Sequence, residues 1–161
     1  HRQCLPYHLT SPPSVTRRER DSVRDMVDIA GVVIVDDALS SSALDAKIME
    51  IQESYPGAPL FLLFTGEKLN GRSWCPDCTR AEPIILGALE EYCSDSVLVV
   101  FNVKREEFRS PDYCYRSNPL INLRCVPTLH RWKDGTSAES LNDSQCQDKT
   151  LVCKTVSNAK A

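Results

Sequence analysis

Ser73-Trp74-Cys75-Pro76-Asp77-Cys78 is the stretch on which the reading of this 161-residue chain turns. Two cysteines enclose two residues that both favour the start of a helix. Proline suits the first helical position, where no amide donor is needed. Aspartate in the first turn faces the positive end of the helix dipole. If Pro76 opens a helix, Cys75 is its N-cap, and its sulfur accepts from orphan amides of the first turn as a capping oxygen would. Those amides favour a thiolate over a thiol, which predicts that Cys75 is a nucleophile. Cys78, three positions on, is within reach of a mixed disulfide on Cys75 and can resolve it. The chemistry expected is thiol–disulfide exchange.

Around this stretch, strands alternate with helices. Val32–Asp36 reads as a strand, and Ser40–Ser42 offer caps for a helix carrying Leu44, Ile48 and Ile51 on one face. Leu60–Thr65 is a near-continuous apolar run, as a central strand covered on both faces requires. A loop, Gly66–Ser73, then leads to Cys75. The following helix aligns Ala81, Ile84, Ile85, Ala88, Leu89 and Tyr92, with Pro83 expected to interrupt its ladder and kink it. Ser96–Val103 is another strand, and the polar segment Lys104–Leu123 has no clear assignment. Thr128–Trp132 and Ser137–Leu141 flank Asp134-Gly135, a hairpin signal, and Gln145–Val156 reads as a closing helix. The order describes an α/β fold, a central mixed β-sheet flanked by helices.

Composition narrows the function. With 19 basic and 22 acidic residues the net charge is −3, and no basic stripe points to nucleic acid. No apolar run approaches the roughly 20 residues that span a bilayer. Residues 1–25 differ from the rest, with five arginines, three prolines and no apolar period. They are expected to be a disordered or non-native extension, with the functional domain occupying 26–161 and beginning near Met26. His1–Asp25 has no apolar segment of the signal-peptide kind. The eight cysteines are therefore expected to be reduced, and the location cytoplasmic.

Phe64-Thr65-Gly66, Lys68, Gly71, Ser73–Cys78, Ala81-Glu82-Pro83 and the isolated Val126-Pro127-Thr128 resemble the thioredoxin domain-containing protein 17 family of the thioredoxin superfamily. The resemblance runs from about Gly31 to Val156. It implies a thioredoxin-like fold and a monomeric cytosolic reductase with no bound cofactor. Electrons would come from NADPH through thioredoxin reductase, and the substrates would be small disulfides such as cystine together with selected protein disulfides. By position, Cys75 would attack and Cys78 resolve. Pro127 would be a cis proline facing them. Trp74, Pro76, Asp77, Val126 and Thr128 would bind substrate or tune the pair.

Other readings compete at each position. A zinc half-site needs a second ligand pair, and no other Cys-x-x-Cys or spaced histidine pair exists. Asp77 is either a plain first-turn carboxylate or a charge that tunes the potential, and Trp74 is either a core ring or a platform beside the thiol. Glu82 and Lys68 are candidates for proton transfer to Cys78. Cys93, Cys114, Cys125, Cys146 and Cys153 read as inert thiols, one continuous last helix keeping Cys146 and Cys153 too far apart to pair, and Cys4 is an extra cysteine that departs from the family pattern. Two further functions remain open on sequence: a secretory thiol oxidase or isomerase, and a redox-regulated binding adaptor in signalling complexes.

Overall fold

A computed structural model describes residues 23–160. The strands of its main sheet are β1 (Gly31–Val35), β5 (Val97–Val103), β2 (Leu60–Gly66), β6 (Thr128–Lys133) and β7 (Thr136–Leu141), in that spatial order. β1, β5 and β2 run parallel, whereas β6 and β7 add antiparallel to the other side of β2. Helix α1 (Ser41–Ser54) packs on one face, and α2 (Pro76–Tyr92) packs on the other with α6 (Lys149–Asn158). This is the expected α/β fold with a mixed central sheet.

The unbroken apolar character of β2 follows from its place at the centre. Leu60, Leu62 and Phe64 enter the core beneath α1, while Phe61 and Leu63 enter the core beneath α2. β5 alternates likewise, and Phe64 stacks on Phe101 across the two strands at 4.5 Å. Each such side chain contributes on the order of 1.5–3 kcal/mol on burial, so the ends of β2 are held firmly. One of those ends, Gly66, meets the cysteine pair.

Several local expectations are corrected. The loop Gly66–Ser73 contains a two-stranded hairpin, β3 (Lys68–Leu69) and β4 (Arg72–Ser73). Its turn is Asn70-Gly71, both at positive φ (54° and 80°), the geometry that Asn-Gly favours between tight strands. Helix α2 runs unbroken through Pro83; proline there costs one backbone bond without ending the helix. Tyr92 is exposed at 43%, so the apolar stripe ends at Leu89, and Leu86 takes its place in the core. The polar segment after β5 forms α3 (Arg105–Arg109) and α4 (Cys114–Ser117), and it buries Tyr113, Tyr115, Ile121 and Leu123.

The closing helix is two helices, α5 (Asp143–Cys146) and α6, because Asn142 caps the first in a capping box and Asp148 caps the second. Cys146 and Cys153 therefore do not share one helix, yet both are free thiols. At the amino end, Val23–Asp25 form a 3-10 turn with Val23 buried in the α2-side core. The packed chain thus includes three residues that the sequence reading assigned to the extension. Residues 1–22, with the rest of that assignment and Cys4, lie outside the described residues.

Candidate active site

Cys75 stands at the N-cap of α2 with extended backbone (φ −110°, ψ 110°), and Pro76 is the first helical residue. Its sulfur accepts the Cys78 amide at 3.3 Å. The same thiol lies 3.5 Å from the Val126 carbonyl oxygen, to which it donates. Helix start and loop before β6 thus converge on one sulfur. The Val126–Pro127 peptide is cis, and Val126, Pro127 and Thr128 are all buried. The Thr128 hydroxyl donates to the Cys125 carbonyl at 2.7 Å and so is turned to its own loop.

Cys78 is 2% exposed, and its sulfur accepts the Gly66 amide at 3.3 Å. Burial, reinforced by the hydrogen bond with Cys75, pushes its thiol far above the ordinary value, although the Gly66 amide and the Thr65 hydroxyl pull the other way. Cys78 is a protonated thiol at neutral pH. The pair is asymmetric: Cys75 sits among the donors of a helix start, and Cys78 sits in the wall behind it.

Trp74 is half-buried. Its indole N–H donates to the Val103 carbonyl at 2.8 Å, and its ring lies 6.0 Å from that of Phe108. It is tethered to the sheet on one side and contributes to the rim on the other, which unites the two roles weighed above. Asp77 pairs with Arg80 on the helix surface. Glu82 is paired with Lys68 at 2.7 Å, the two side chains 14% and 27% exposed. That ion pair ties the β3–β4 hairpin to α2, one turn beyond Cys78.

The structure adds contacts that sequence reasoning did not give. Arg116 donates to the carbonyls of Ser110 and Phe108 at 2.6 and 2.7 Å and lies over the Phe108 ring, so it braces the rim beside Trp74. The Gly66 amide donates to the Cys78 sulfur, the Ser73 hydroxyl accepts the Cys75 amide, and that hydroxyl donates to the Gly66 carbonyl. Only Asn70-Gly71, as a turn signal, could have pointed to the hairpin that carries Ser73. Among the described residues no group of three or more His, Cys, Asp or Glu is placed to hold a metal ion, and no helix is long and apolar enough to cross a membrane. A cleft lined by Tyr55, Pro59, Leu60, Trp132 and Lys133 lies at the opposite end of β2, away from the cysteines.

Comparison with known proteins agrees with this architecture. Residues 37–158 match the thioredoxin domain of the thioredoxin domain-containing protein 17-like family. The chain is 36% identical over 117 residues to the thioredoxin-like protein Clot of Arabidopsis thaliana, covering 69% of this chain and 87% of that one. It is 33% identical over 102 residues to human thioredoxin domain-containing protein 17, covering 62% and 79%. Among solved structures, the short form of thioredoxin f from spinach chloroplast superposes with a TM-score of 0.54 at 16% identity, over 84% of this chain and 98% of that one.

Proposed function

Because this chain belongs to the thioredoxin domain-containing protein 17-like family, whose role is of the thioredoxin redox type, we propose that it is a disulfide reductase working through Cys75-Pro76-Asp77-Cys78. The observation that carries this reading is the convergence on the Cys75 sulfur of the Cys78 amide, at 3.3 Å, and the Val126 carbonyl, at 3.5 Å.

The Cys75 thiolate attacks one sulfur of a substrate disulfide. A bond forms between Cys75 and the attacked sulfur, the substrate S–S bond breaks, and the other substrate sulfur leaves with the electron pair and takes up a proton. Cys78 then gives up its proton and attacks Cys75. The Cys75–Cys78 bond forms, the mixed disulfide breaks, and the second substrate thiol is released with that proton. The substrate is reduced by two electrons and the pair is oxidised. Thioredoxin reductase, drawing on NADPH, returns the pair to the dithiol in the cytoplasm. The β3–β4 hairpin ends at Ser73, whose hydroxyl accepts the Cys75 amide, and Phe108 lies beside Trp74; a site bordered in this way would favour small disulfides such as cystine over folded proteins.

The test is a coupled assay of NADPH, thioredoxin reductase and cystine, run beside insulin. Wild type consumes NADPH faster with cystine, Cys75→Ser consumes none, and Cys78→Ser holds a mixed disulfide visible by mass. Full activity in Cys75→Ser would refute the assignment. A reduction potential near −120 to about −180 mV, the range of secretory oxidants and isomerases, would refute the reductase direction, since thioredoxin lies near about −270 mV.

A further inference from the structure

We propose that Ser73 and Gly66 form a positioning clamp for the second chemical step, the attack of Cys78 on the mixed disulfide at Cys75; the proposal rests on the exchange reaction above. The Ser73 hydroxyl donates to the Gly66 carbonyl at 2.8 Å and accepts the Cys75 amide at 3.1 Å. The Gly66 amide, on the same residue, donates to the Cys78 sulfur at 3.3 Å. One glycine thus holds the resolving sulfur with its N–H and, through one hydroxyl, the backbone of the attacking cysteine with its C=O.

The clamp is anchored to the central strand of the sheet. Gly66 is the last residue of β2, in register with Val103 of β5. The next residue, Glu67, donates its amide to the Val103 carbonyl at 2.9 Å, the same oxygen that receives the Trp74 indole. Only glycine fits this approach. A Cβ on Gly66 would stand 2.7 Å from the Ser73 hydroxyl oxygen, 2.9 Å from the Cys75 Cβ and 3.0 Å from a Trp74 ring carbon. The Cys75 Cβ is fixed by its own backbone, and the Ser73 hydroxyl and Trp74 ring are held by hydrogen bonds to the Gly66 and Val103 carbonyls, so a methyl group there displaces the Ser73–Cys75 segment or breaks those bonds.

Resolution depends on this geometry more than the first attack does. In the first step a substrate arrives from solution and orients itself on the Cys75 sulfur. In the second, two sulfurs of one chain must line up with the leaving sulfur, and the rate depends on how well the protein presents them. Removing the Ser73 hydroxyl takes away the acceptor of the Cys75 amide and a donor to the Gly66 carbonyl at once. The Gly66 amide, meanwhile, favours the thiolate that Cys78 must become.

The test uses the full chain with glutathione disulfide as substrate, rapid acid quench, and peptide mass mapping of the adduct on Cys75. Cys78→Ser accumulates the adduct stoichiometrically; failure to do so would remove the exchange reaction itself, and the clamp with it. With Cys78 intact, Ser73→Ala forms the adduct at close to the wild-type rate but resolves it slower by about tenfold or more, the size expected for losing the two hydrogen bonds of the hydroxyl. The adduct then becomes visible in turnover. Ser73→Thr, which keeps the hydroxyl, resolves as wild type does. Gly66→Ala accumulates the adduct like Ser73→Ala. Resolution by Ser73→Ala within twofold of wild type, or accumulation by Ser73→Thr equal to that of Ser73→Ala, overturns the proposal.

Discussion

The Cys75 sulfur and the Val126 carbonyl oxygen face each other at 3.5 Å, across 51 residues of sequence. One belongs to the start of α2 and the other to the loop entering β6, and both elements flank β2. The sheet therefore brings the thiol at the start of α2 together with a backbone acceptor of the loop before β6. Both cysteines are buried, Cys75 at 7% and Cys78 at 2% exposure, and they differ in their partners: the Cys75 sulfur meets the Cys78 amide and the Val126 carbonyl, the Cys78 sulfur the Gly66 amide.

Selective alkylation tests that difference. Burial keeps Cys78 protonated well beyond the ordinary thiol range, and a protonated thiol is a poor nucleophile. Iodoacetamide at pH 8 should modify Cys75 and leave Cys78 unlabelled until denaturant is added, as read by peptide mapping. Equal labelling of the two in the folded dithiol would contradict the asymmetry.

Arg116 should control what enters the site. Its guanidinium fixes the carbonyls of Ser110 and Phe108, and Phe108 lies beside Trp74. Arg116→Met removes two charge-assisted hydrogen bonds, with an expected loss of about 1.5–3 kcal/mol in stability. With the rim loosened, insulin reduction should rise relative to cystine reduction. An unchanged ratio of the two rates would show that the rim does not select.

Much of this was legible from sequence because its signals are local. The N-cap position of Cys75 follows from Pro76 and Asp77 alone, and the buried strands β2 and β5 announce themselves as unbroken apolar runs. The segment Lys104–Leu123 was opaque because its buried residues, Tyr113, Tyr115, Ile121 and Leu123, follow no helix or strand period. They are placed by contacts between distant elements: the Tyr115 hydroxyl accepts the Leu39 amide at 3.1 Å, and the Tyr115 ring packs edge-on against Phe64 and Phe101. Ser73 was hidden for a related reason. A serine in a polar loop has no distinguishing pattern until the fold brings Gly66 beside it.

Alkaline stability reports the buried thiols. Burial, with Asp95 beside it, pushes Cys93 from 9.0 up to about 11, and burial pushes Cys146 from 9.0 up to about 12. Below about pH 9 both states hold these protons and the stabilisation is complete. Above it only the unfolded chain ionises, so stability falls as pH rises. The expected loss by pH 11 is about 2–3 kcal/mol for each thiol. Denaturation under reducing conditions should show this slope, and Cys93→Ala or Cys146→Ala should each remove its own share.

Acid stability reports His130, a residue that nothing in the sequence singled out. Its ring is 3% exposed on β6, packs edge-on against Phe64 at 5.8 Å, and places Nδ1 2.7 Å from the Ser137 hydroxyl oxygen. Burial lowers its pKa from 6.5 to about 4, because the charged ring would be stripped of water. The folded value is depressed, so the stabilisation is complete above pH 6.5. It is lost as pH falls toward 4, where the unfolded chain gains a proton that the folded one refuses. The difference reaches about 3 kcal/mol at pH 4. Urea denaturation between pH 7 and 4 should show a loss of that order, and His130→Gln should flatten it while lowering stability at pH 7. A His130→Gln protein with an unchanged acid slope would assign the loss to other groups. Cystine reduction measured at pH 7 should survive the substitution, since His130 meets Ser137, Phe64 and Trp132 rather than either cysteine.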